Sequence, residues 1–290
     1  MGFSSPAGWR LRSWGRSRLA LVGIALAGPV LWAQPPPLPR AEQMRPLGLV
    51  GGISWYSTVD YYRDINKGVN DFYGNNTNPP LLVDTIDQHR VHELQAKNEW
   101  PEIARMISAA VEHLQAAGAQ GIVLCSNTAH KVYPEVAAAT RLPVLHITDA
   151  TGQAIRRQGL KRVGLIGTIY TMEDGFYLDR LRKKFGIEAL VPENAADRLE
   201  LHRIIQKELA LGIFKPVGKN FVLAEIEKLK RRGVDGIVLG CTEFALIIKP
   251  GDVSLPTFDT SALHSEMAVR FILGREEKTE APASAGTKGR

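Results

Sequence analysis

The 290-residue sequence predicts an α/β fold of two similar halves, each built on a largely parallel sheet. Three observations support this prediction. Strand-like apolar runs alternate with helical stretches, one strand-and-loop motif occurs twice, and the sequence around that motif repeats at nearly constant spacing. The length and a hydrophobic content of 44% are sufficient for two medium-sized domains.

Eight short apolar runs have the length and composition of buried strands. They are residues 47–50, 81–83, 121–124, 144–145, 163–166, 188–191, 236–239 and 256–258. Between them, residues 101–117 and 221–232 show the apolar spacing of helices that face a core. Parallel pairing follows from this alternation, because a crossover helix returns the chain to the same end of the sheet.

An internal repeat relates the two halves of the chain. Residues 118–128 (GAQGIVLCSNT) align with residues 233–243 (GVDGIVLGCTE) at an offset of 115. The flanking matches, at offsets of 116 and 113, are 48–51 with 164–167 and 142–143 with 255–256. A single apolar match would be uninformative, but three matches in order indicate two related halves. Such folds bind ligands at the carboxyl ends of their parallel strands, so the cleft between the halves is the predicted site.

The net charge of +6 is confined to the two ends of the chain. Residues 1–45 hold six Arg and one Glu, residues 275–290 hold four basic and three acidic groups, and the remainder holds 26 of each sign. A neutral body argues against a nucleic-acid-binding protein, which needs an unbalanced basic surface. Two cysteines are too few for a disulfide scaffold.

The first 45 residues have the order of an export signal followed by a spacer. Four arginines between residues 10 and 18 precede an apolar run from Leu19 to Ala33. We therefore predict a signal peptide over 1–33, a Pro-rich linker over 34–45 and a periplasmic or secreted protein, not membrane-bound after cleavage. If Met44 is the true start, the protein is cytoplasmic. The polar tail 275–290 is predicted to be disordered.

Ser126 and Cys241 occupy equivalent positions in the repeat, each at the end of a buried strand. If the halves are pseudo-symmetric, the two side chains approach a ligand from opposite faces. That arrangement suits removal of a proton from one face of a carbon and its return on the other. Backbone donors can lower the pKa of a cysteine from about 8.5 toward neutrality, whereas serine is a much weaker base. The alternative for Cys241 is an inert buried thiol. Cys125 should point to the other face of its strand, into packing.

The loop over residues 51–58 (GGISWYST) follows the first strand. Its adjacent glycines would let a ligand approach the backbone, and the following helix offers N–H groups to a carboxylate. Thr168 stands at the equivalent place in the second half. The loop is neither a P-loop nor a GxGxxG motif, so no nucleotide is predicted. No CxxC or HxxxH spacing predicts a metal site, and His130 is predicted to be a packing or helix-start residue.

Three motifs in order resemble the aspartate/glutamate racemase family, especially its broad-specificity amino-acid racemase branch. They are residues 51–66, containing GGISWYST, YYR and IN; residues 126–131 (SNTAHK); and residues 240–243 (GCTE). The resemblance covers about residues 47–273. It implies two pseudo-symmetric domains, 46–147 completed by 260–274 and 148–259, and commonly a homodimer. It also implies racemisation of a small amino acid by two bases, without pyridoxal phosphate or any other cofactor.

Residue by residue, the resemblance places the second catalytic cysteine on Cys241, while Ser126 stands where the family has its first. It also implies substrate contacts by Ser54, Gln95, Asn127, Thr128 and Thr242. The serine predicts asymmetric catalysis that favours the L-amino acid, because a hydroxyl is costly to ionise. No cation that would hold a distal carboxylate can be placed, so the preferred amino acid stays open between aspartate or glutamate and a broader set.

Two other functions remain open from the sequence. One is a one-cysteine decarboxylase or isomerase of the same superfamily, of the arylmalonate decarboxylase or maleate isomerase type. The Trp-containing glycine loop and Thr242-Glu243 favour the racemase branch over this alternative. The other is a non-catalytic exported solute-binding protein, because two-lobed α/β folds with a leader also serve as receptors.

Overall fold

The computed structural model describes residues 43–249 and 251–276. The predicted signal peptide, most of the linker and most of the C-terminal tail lie outside these residues. No helix within the described ranges combines the length and the apolar character needed to cross a membrane.

The first half is a four-stranded parallel sheet in the order β2-β1-β3-β4. Its strands are β1 (Leu47–Gly51), β2 (Leu81–Thr85), β3 (Gly121–Leu124) and β4 (Val144–Leu145). Its helices are α1 (Trp55–Tyr73), α2 (Gln88–Ala96), α3 (Trp100–Ala116) and α4 (Tyr133–Ala138), with a 3₁₀ turn over Thr128–Val132. Helix α2 begins at the Asp87 side chain, which accepts a hydrogen bond from the His89 N–H.

The second half repeats this architecture with the strand order β6-β5-β7-β8, again all parallel. Its strands are β5 (Arg162–Gly167), β6 (Glu188–Leu190), β7 (Ile237–Gly240) and β8 (Thr257–Asp259). The remaining helices are α5 (Ile147–Arg157), α6 (Ile169–Glu173), α7 (Phe176–Arg180), α8 (Ala195–Lys207), α9 (Pro216–Arg231), α10 (Phe244–Ile247) and α11 (Thr260–Ile272). A π-helical turn covers Leu181–Phe185 and a 3₁₀ turn covers Leu209–Leu211.

The predicted fold class is confirmed: the described residues form two parallel α/β halves. Each of the eight predicted strands is present within two residues of its predicted bounds. The largest shift is in α9, which begins at Pro216 and not at residue 221. Proline suits the first turn of a helix, where its missing N–H would have no intrahelical partner.

The repeat extends from the strand order to side-chain packing. A Cβ at Gly48 would lie 2.9 Å from Ile122 Cδ1, and a Cβ at Gly164 would lie 2.9 Å from Ile237 Cδ1. Both glycines are therefore required by the same close approach of a helix and neighbouring strand to the centre of the sheet. The equivalence of Ser126 and Cys241 consequently rests on two matching frameworks.

Helix α11 brings the end of the described chain back to the first half. It packs against α1 and α5, and Phe271 joins the buried cluster that contains Leu47 and Tyr61. The Asp259 carboxylate caps the helix by accepting hydrogen bonds from the N–H groups of Ser261 and Ala262. The residue boundaries 46–147 with 260–274 and 148–259 stay a prediction.

Candidate active site

One cavity lies between the carboxyl ends of the two sheets. The loops that follow β1, β3, β5 and β7 line it, together with residues of α2 and α8. All eight predicted site residues border this cavity: Ser54, Gln95, Ser126, Asn127, Thr128, Thr168, Cys241 and Thr242. The space that water can enter is only about 40 Å³, enough for a few water molecules. This volume is small compared with that of typical ligand pockets.

Cys241 lies in a buried hydrogen-bond network with Glu243. The thiol donates to Glu243 Oε2 at 2.9 Å, and the Thr242 hydroxyl donates to the same oxygen at 2.9 Å. From helix α1, the Ser57 hydroxyl contacts Thr242 Oγ1 and donates to Glu243 Oε1 at 3.4 Å. The Glu243 carboxylate thus accepts hydrogen bonds from all three side chains, and the network joins the two halves.

The environment of Cys241 raises its pKa well above the usual value for a thiol. Burial is the main cause, and the charge and hydrogen bond of Glu243 add to it. Backbone N–H groups of Thr242 and Glu243 act in the opposite direction but are outweighed. The expectation that backbone donors bring this pKa toward neutrality was therefore wrong, because a buried carboxylate lies 2.9 Å from the sulfur.

Ser126 has a different environment from Cys241. Its hydroxyl makes no hydrogen bond to any residue that the structure describes, so no base is placed to accept its proton. Its backbone carbonyl accepts a hydrogen bond from His130 Nδ1 at 2.9 Å, while His130 Nε2 accepts from the Ile147 N–H at 3.2 Å. Burial lowers the pKa of His130 to about 4, which keeps the ring neutral and consistent with these two roles. The predicted packing residue thus also supports the Ser126 loop.

Two buried polar atoms at the cavity wall lack hydrogen-bond partners among the described residues: Ser54 Oγ and Asn127 Oδ1. Ser54 is the first residue before helix α1 but does not cap it with its side chain. Asn127 donates through Nδ2 to Thr260 Oγ1 at 2.9 Å, so its free atom is an acceptor. The resemblance implies that Asn127 contacts the substrate, and the free oxygen of its side chain suits an ammonium group.

The glycine pair Gly51-Gly52 at the end of β1 is required by packing, and neither glycine is among the residues that line the cavity. Gly52 has a φ of +91°, and a Cβ there would lie 2.0 Å from the Ile86 carbonyl oxygen. A Cβ at Gly51 would collide with the side chain of Thr58. These two contacts fix the direction in which the chain leaves β1, and thereby the position of Ser54.

Direct contacts close the cleft on the side of Thr128 and Thr168. The two hydroxyls lie 3.0 Å apart. Beside them, the Lys131 ammonium pairs with Asp174 at 2.7 Å and lies 3.8 Å from the centre of the Trp100 ring. The Thr128–Thr168 contact and the Lys131–Asp174 ion pair cross from one half to the other.

The structure adds residues to the site that the sequence did not indicate. His92, Ile205, Gln206 and Ala210 line the cavity, and Ser57 belongs to the Glu243 network. His92 precedes Gln95 by one helical turn, a spacing that could have identified it. Glu243 was part of the GCTE motif, but only the fold reveals its contact with the sulfur.

The two cysteines occupy separate environments. Both are free thiols. Cys125 is buried in the core cluster of β1, α1 and α11, away from the cavity lining, and burial raises its pKa. Within residues 43–249 and 251–276, no group of three or more His, Cys, Asp and Glu side chains could hold a metal ion.

Comparison with known proteins decides the family. The family model for Asp/Glu/hydantoin racemases matches residues 50–268, which include every residue of the predicted site. The chain belongs to this family. The resemblance read from the three motifs is thereby confirmed.

Solved structures of other family members share the fold. A candidate Asp/Glu racemase from Yersinia pestis is 44% identical over 79% of this chain and all of that protein, with a TM-score of 0.73. An aspartate racemase homologue from Pyrococcus horikoshii OT3 is 32% identical over 79% of this chain and 99% of its own length, with a TM-score of 0.67. By sequence, glutamate racemase from Corynebacterium kroppenstedtii is 30% identical over 50% of this chain, and the match spans about half of that enzyme, 49%.

Proposed function

We propose that this protein is a cofactor-independent amino-acid racemase in which Cys241 and Ser126 exchange the α-proton on opposite faces of the substrate. The observation that carries the proposal is that both side chains border one cavity from equivalent strand ends. Family membership supports the same reaction class. In the part of the chain that the structure describes, no lysine that could form a Schiff base borders the cavity.

The substrate would be held by the groups that the cavity leaves free. Its carboxylate would accept hydrogen bonds from the Ser54 hydroxyl and the first N–H groups of α1, with Thr128 and Thr168 close by. Its ammonium would donate to Asn127 Oδ1. This binding mode directs the α-carbon to the space between Cys241 and Ser126.

Proton removal from the L-amino acid would begin with a transfer inside the Cys241 network. The thiol proton passes along the existing 2.9 Å hydrogen bond to Glu243, and the thiolate then removes the α-proton. The ammonium of the bound substrate favours this step, because a positive charge nearby stabilises the thiolate. Glu243 therefore has two effects on Cys241. Its charge raises the pKa of the thiol in the empty site, and its carboxylate accepts the thiol proton when the substrate is bound.

The second step would be slow because Ser126 has no base beside it. Its hydroxyl can donate a proton to the carbanion on the opposite face. The resulting alkoxide then regains a proton from solvent, and the protonated Glu243 releases to solvent the proton that it took from the thiol. L- and D-amino acids have equal free energies, so kcat/KM must be equal in the two directions. The asymmetry should therefore appear in hydrogen exchange: Cys241 exchanges the α-proton of the L-amino acid faster than the enzyme inverts it.

The decisive experiment measures deuterium incorporation at the α-carbon in heavy water for separate L and D samples. We expect rapid exchange in recovered L substrate, slower appearance of the D enantiomer, and slow exchange in recovered D substrate. Cys241→Ala should reduce exchange by about 10³-fold. Cys125→Ala, the matched thiol control in the core, should keep activity within about twofold. Equal exchange rates in recovered L and D substrate would contradict the asymmetric mechanism.

The same variants separate the racemase from its alternatives. A solute-binding protein would show no exchange and would keep its ligand affinity when Cys241 is replaced by Ala. A one-cysteine decarboxylase would release carbon dioxide from a malonate-type substrate, and a maleate isomerase would convert a double bond; neither would exchange an amino-acid α-proton.

We also propose that the protein is exported and forms a homodimer. Export is supported by the leader order of residues 1–33. Assembly is supported by the exposed apolar surface formed by α1 and residues 211–217, which are joined where Tyr56 packs against Gly212. N-terminal sequencing of the protein from a periplasmic fraction tests the first proposal, and sedimentation equilibrium tests the second.

A further inference from the structure

One end of the cavity is formed by residues that take no part in the proposed proton transfers. His92 and Gln95 face it from α2 in the first half, and Ile205 and Gln206 face it from the last turn of α8 in the second. A hydrogen bond from Gln88 Nε2 to the Ala210 carbonyl oxygen, 3.4 Å, joins the two walls. A substrate placed with its α-carbon between Cys241 and Ser126 would direct its side chain to this end.

The polar side chains at this end are uncommitted. The His92 ring and the amide groups of Gln95 and Gln206 make no hydrogen bond with any residue in the described part of the chain, although Gln95 is 7% exposed. Each amide offers both donors and an acceptor. Burial lowers the pKa of His92, so the neutral ring also offers one donor and one acceptor. Together these groups can hydrogen bond to every donor and acceptor of a hydroxyl or a carboxamide.

Because of its charge, the cavity disfavours a substrate side chain with a second carboxylate more strongly than a neutral side chain. Among the described residues that border it there is no Lys or Arg, and the one formal charge there is that of Glu243. A distal carboxylate would be placed beside this charge without a cation from these residues to pair with. Lys207 follows Gln206 but does not border the cavity.

We infer that the protein acts on amino acids with uncharged polar side chains, bearing a hydroxyl or a carboxamide, in preference to aspartate and glutamate. His92, Gln95 and Gln206 determine this specificity by hydrogen bonding to the side chain. The inference rests on the proposed racemase function and narrows its substrate class.

The test compares isosteric pairs in the α-proton exchange assay: L-asparagine with L-aspartate, and L-glutamine with L-glutamate, with L-serine and L-threonine as the hydroxyl class. We expect at least one hydroxyl or carboxamide substrate to exceed both acids in kcat/KM by about 10-fold or more. Higher values for the acids would overturn this inference and leave the racemase function intact. No exchange with any amino acid would overturn the proposed function, and this inference with it.

A charge introduced at one wall sharpens the test. Gln206→Lys should shift the ratio of acid to amide kcat/KM toward the acid by about 10-fold or more, because it supplies the missing cation. Lys207→Gln is the matched control at the next position and should change that ratio by less than about threefold. If the wild type turns over the acids substantially and Lys207→Gln abolishes that turnover, Lys207 is the cation of an acidic-substrate site and the inference is wrong.

Discussion

At the end of β7, Cys241 hydrogen bonds to a buried carboxylate that can accept its proton, whereas at the equivalent end of β3 the Ser126 hydroxyl has no such partner in the described structure. The surrounding frameworks match closely, with the same strand order and the same glycine contacts. The difference lies in the residue that follows two positions later: Glu243 in one loop and Thr128 in the other. A duplicated fold can therefore place two groups symmetrically around a substrate and still give them unequal acid–base strength.

The largest effect should come from making the two loops chemically alike. Ser126→Cys introduces a thiol, which ionises far more readily than an alcohol, at the position that must protonate the second face. We expect inversion, and exchange in recovered D substrate, to rise by about 10- to 100-fold. The measurement is the ratio of inversion to exchange for L substrate in heavy water.

Ser126→Ala provides the opposite arm of this comparison. It should abolish most of the inversion while exchange in recovered L substrate persists, because Cys241 and Glu243 are untouched. If Ser126→Ala inverts its substrate as fast as the wild type, another group or a water molecule protonates that face, and Ser126 has no catalytic role.

An effect of similar size is expected from removing the charge at the second loop. Glu243→Gln keeps the shape of the side chain but removes the proton acceptor of Cys241. We expect kcat for exchange to fall by about 10- to 100-fold at neutral pH, although the Cys241 pKa should fall as well, because the Glu243 charge raises it. Titration of thiolate absorbance in a Cys125→Ala background measures that pKa.

The kcat for exchange and the pKa of Cys241 together show whether Glu243 accepts the thiol proton or acts only through its charge. If Glu243 acts only through its charge, Glu243→Gln will increase activity at neutral pH by enlarging the thiolate fraction. Glu208 is the matched control, since it is another buried carboxylate of the second half, paired with Arg203 at 2.9 Å and absent from the cavity lining. Glu208→Gln should leave the Cys241 pKa unchanged.

The comparison of the halves also explains what the sequence could predict. The strands, the repeat and the pairing of Ser126 with Cys241 follow from local patterns, because equivalent positions in a duplicated chain occupy equivalent positions in space. The raised pKa of Cys241 could not be predicted, since the burial of its loop depends on α1 and on Ser57, nearly 190 residues away in the chain. The packing role of Gly52 could not be predicted for the same reason, because its neighbour Ile86 lies beyond the second strand.

Two buried, neutral histidines, His130 beside the Ser126 loop and His264 beside β4, predict a dependence of stability on pH. Burial lowers the pKa of His130 to about 4, and that of His264, which donates to the Leu145 carbonyl oxygen, to about 3. In the unfolded chain both histidines would bind a proton near pH 6.5. Between these values the unfolded state holds more protons than the folded state, so stability falls as the pH is lowered.

The contribution of His130 alone should reach about 3 kcal/mol when the pH has dropped from above 6.5 to about 4. Urea unfolding followed by circular dichroism across this range measures it. His130→Asn should flatten the dependence of stability on pH between 6.5 and about 4, because the unfolded variant has no histidine at this position to take up a proton. Replacement of the exposed His89 by Asn should leave the dependence unchanged. A stability that stays constant from pH 7 to 4.5 would show that His130 takes up its proton at the same pH in the folded and the unfolded chain, and its hydrogen bonds to Ser126 and Ile147 would then need a different assignment.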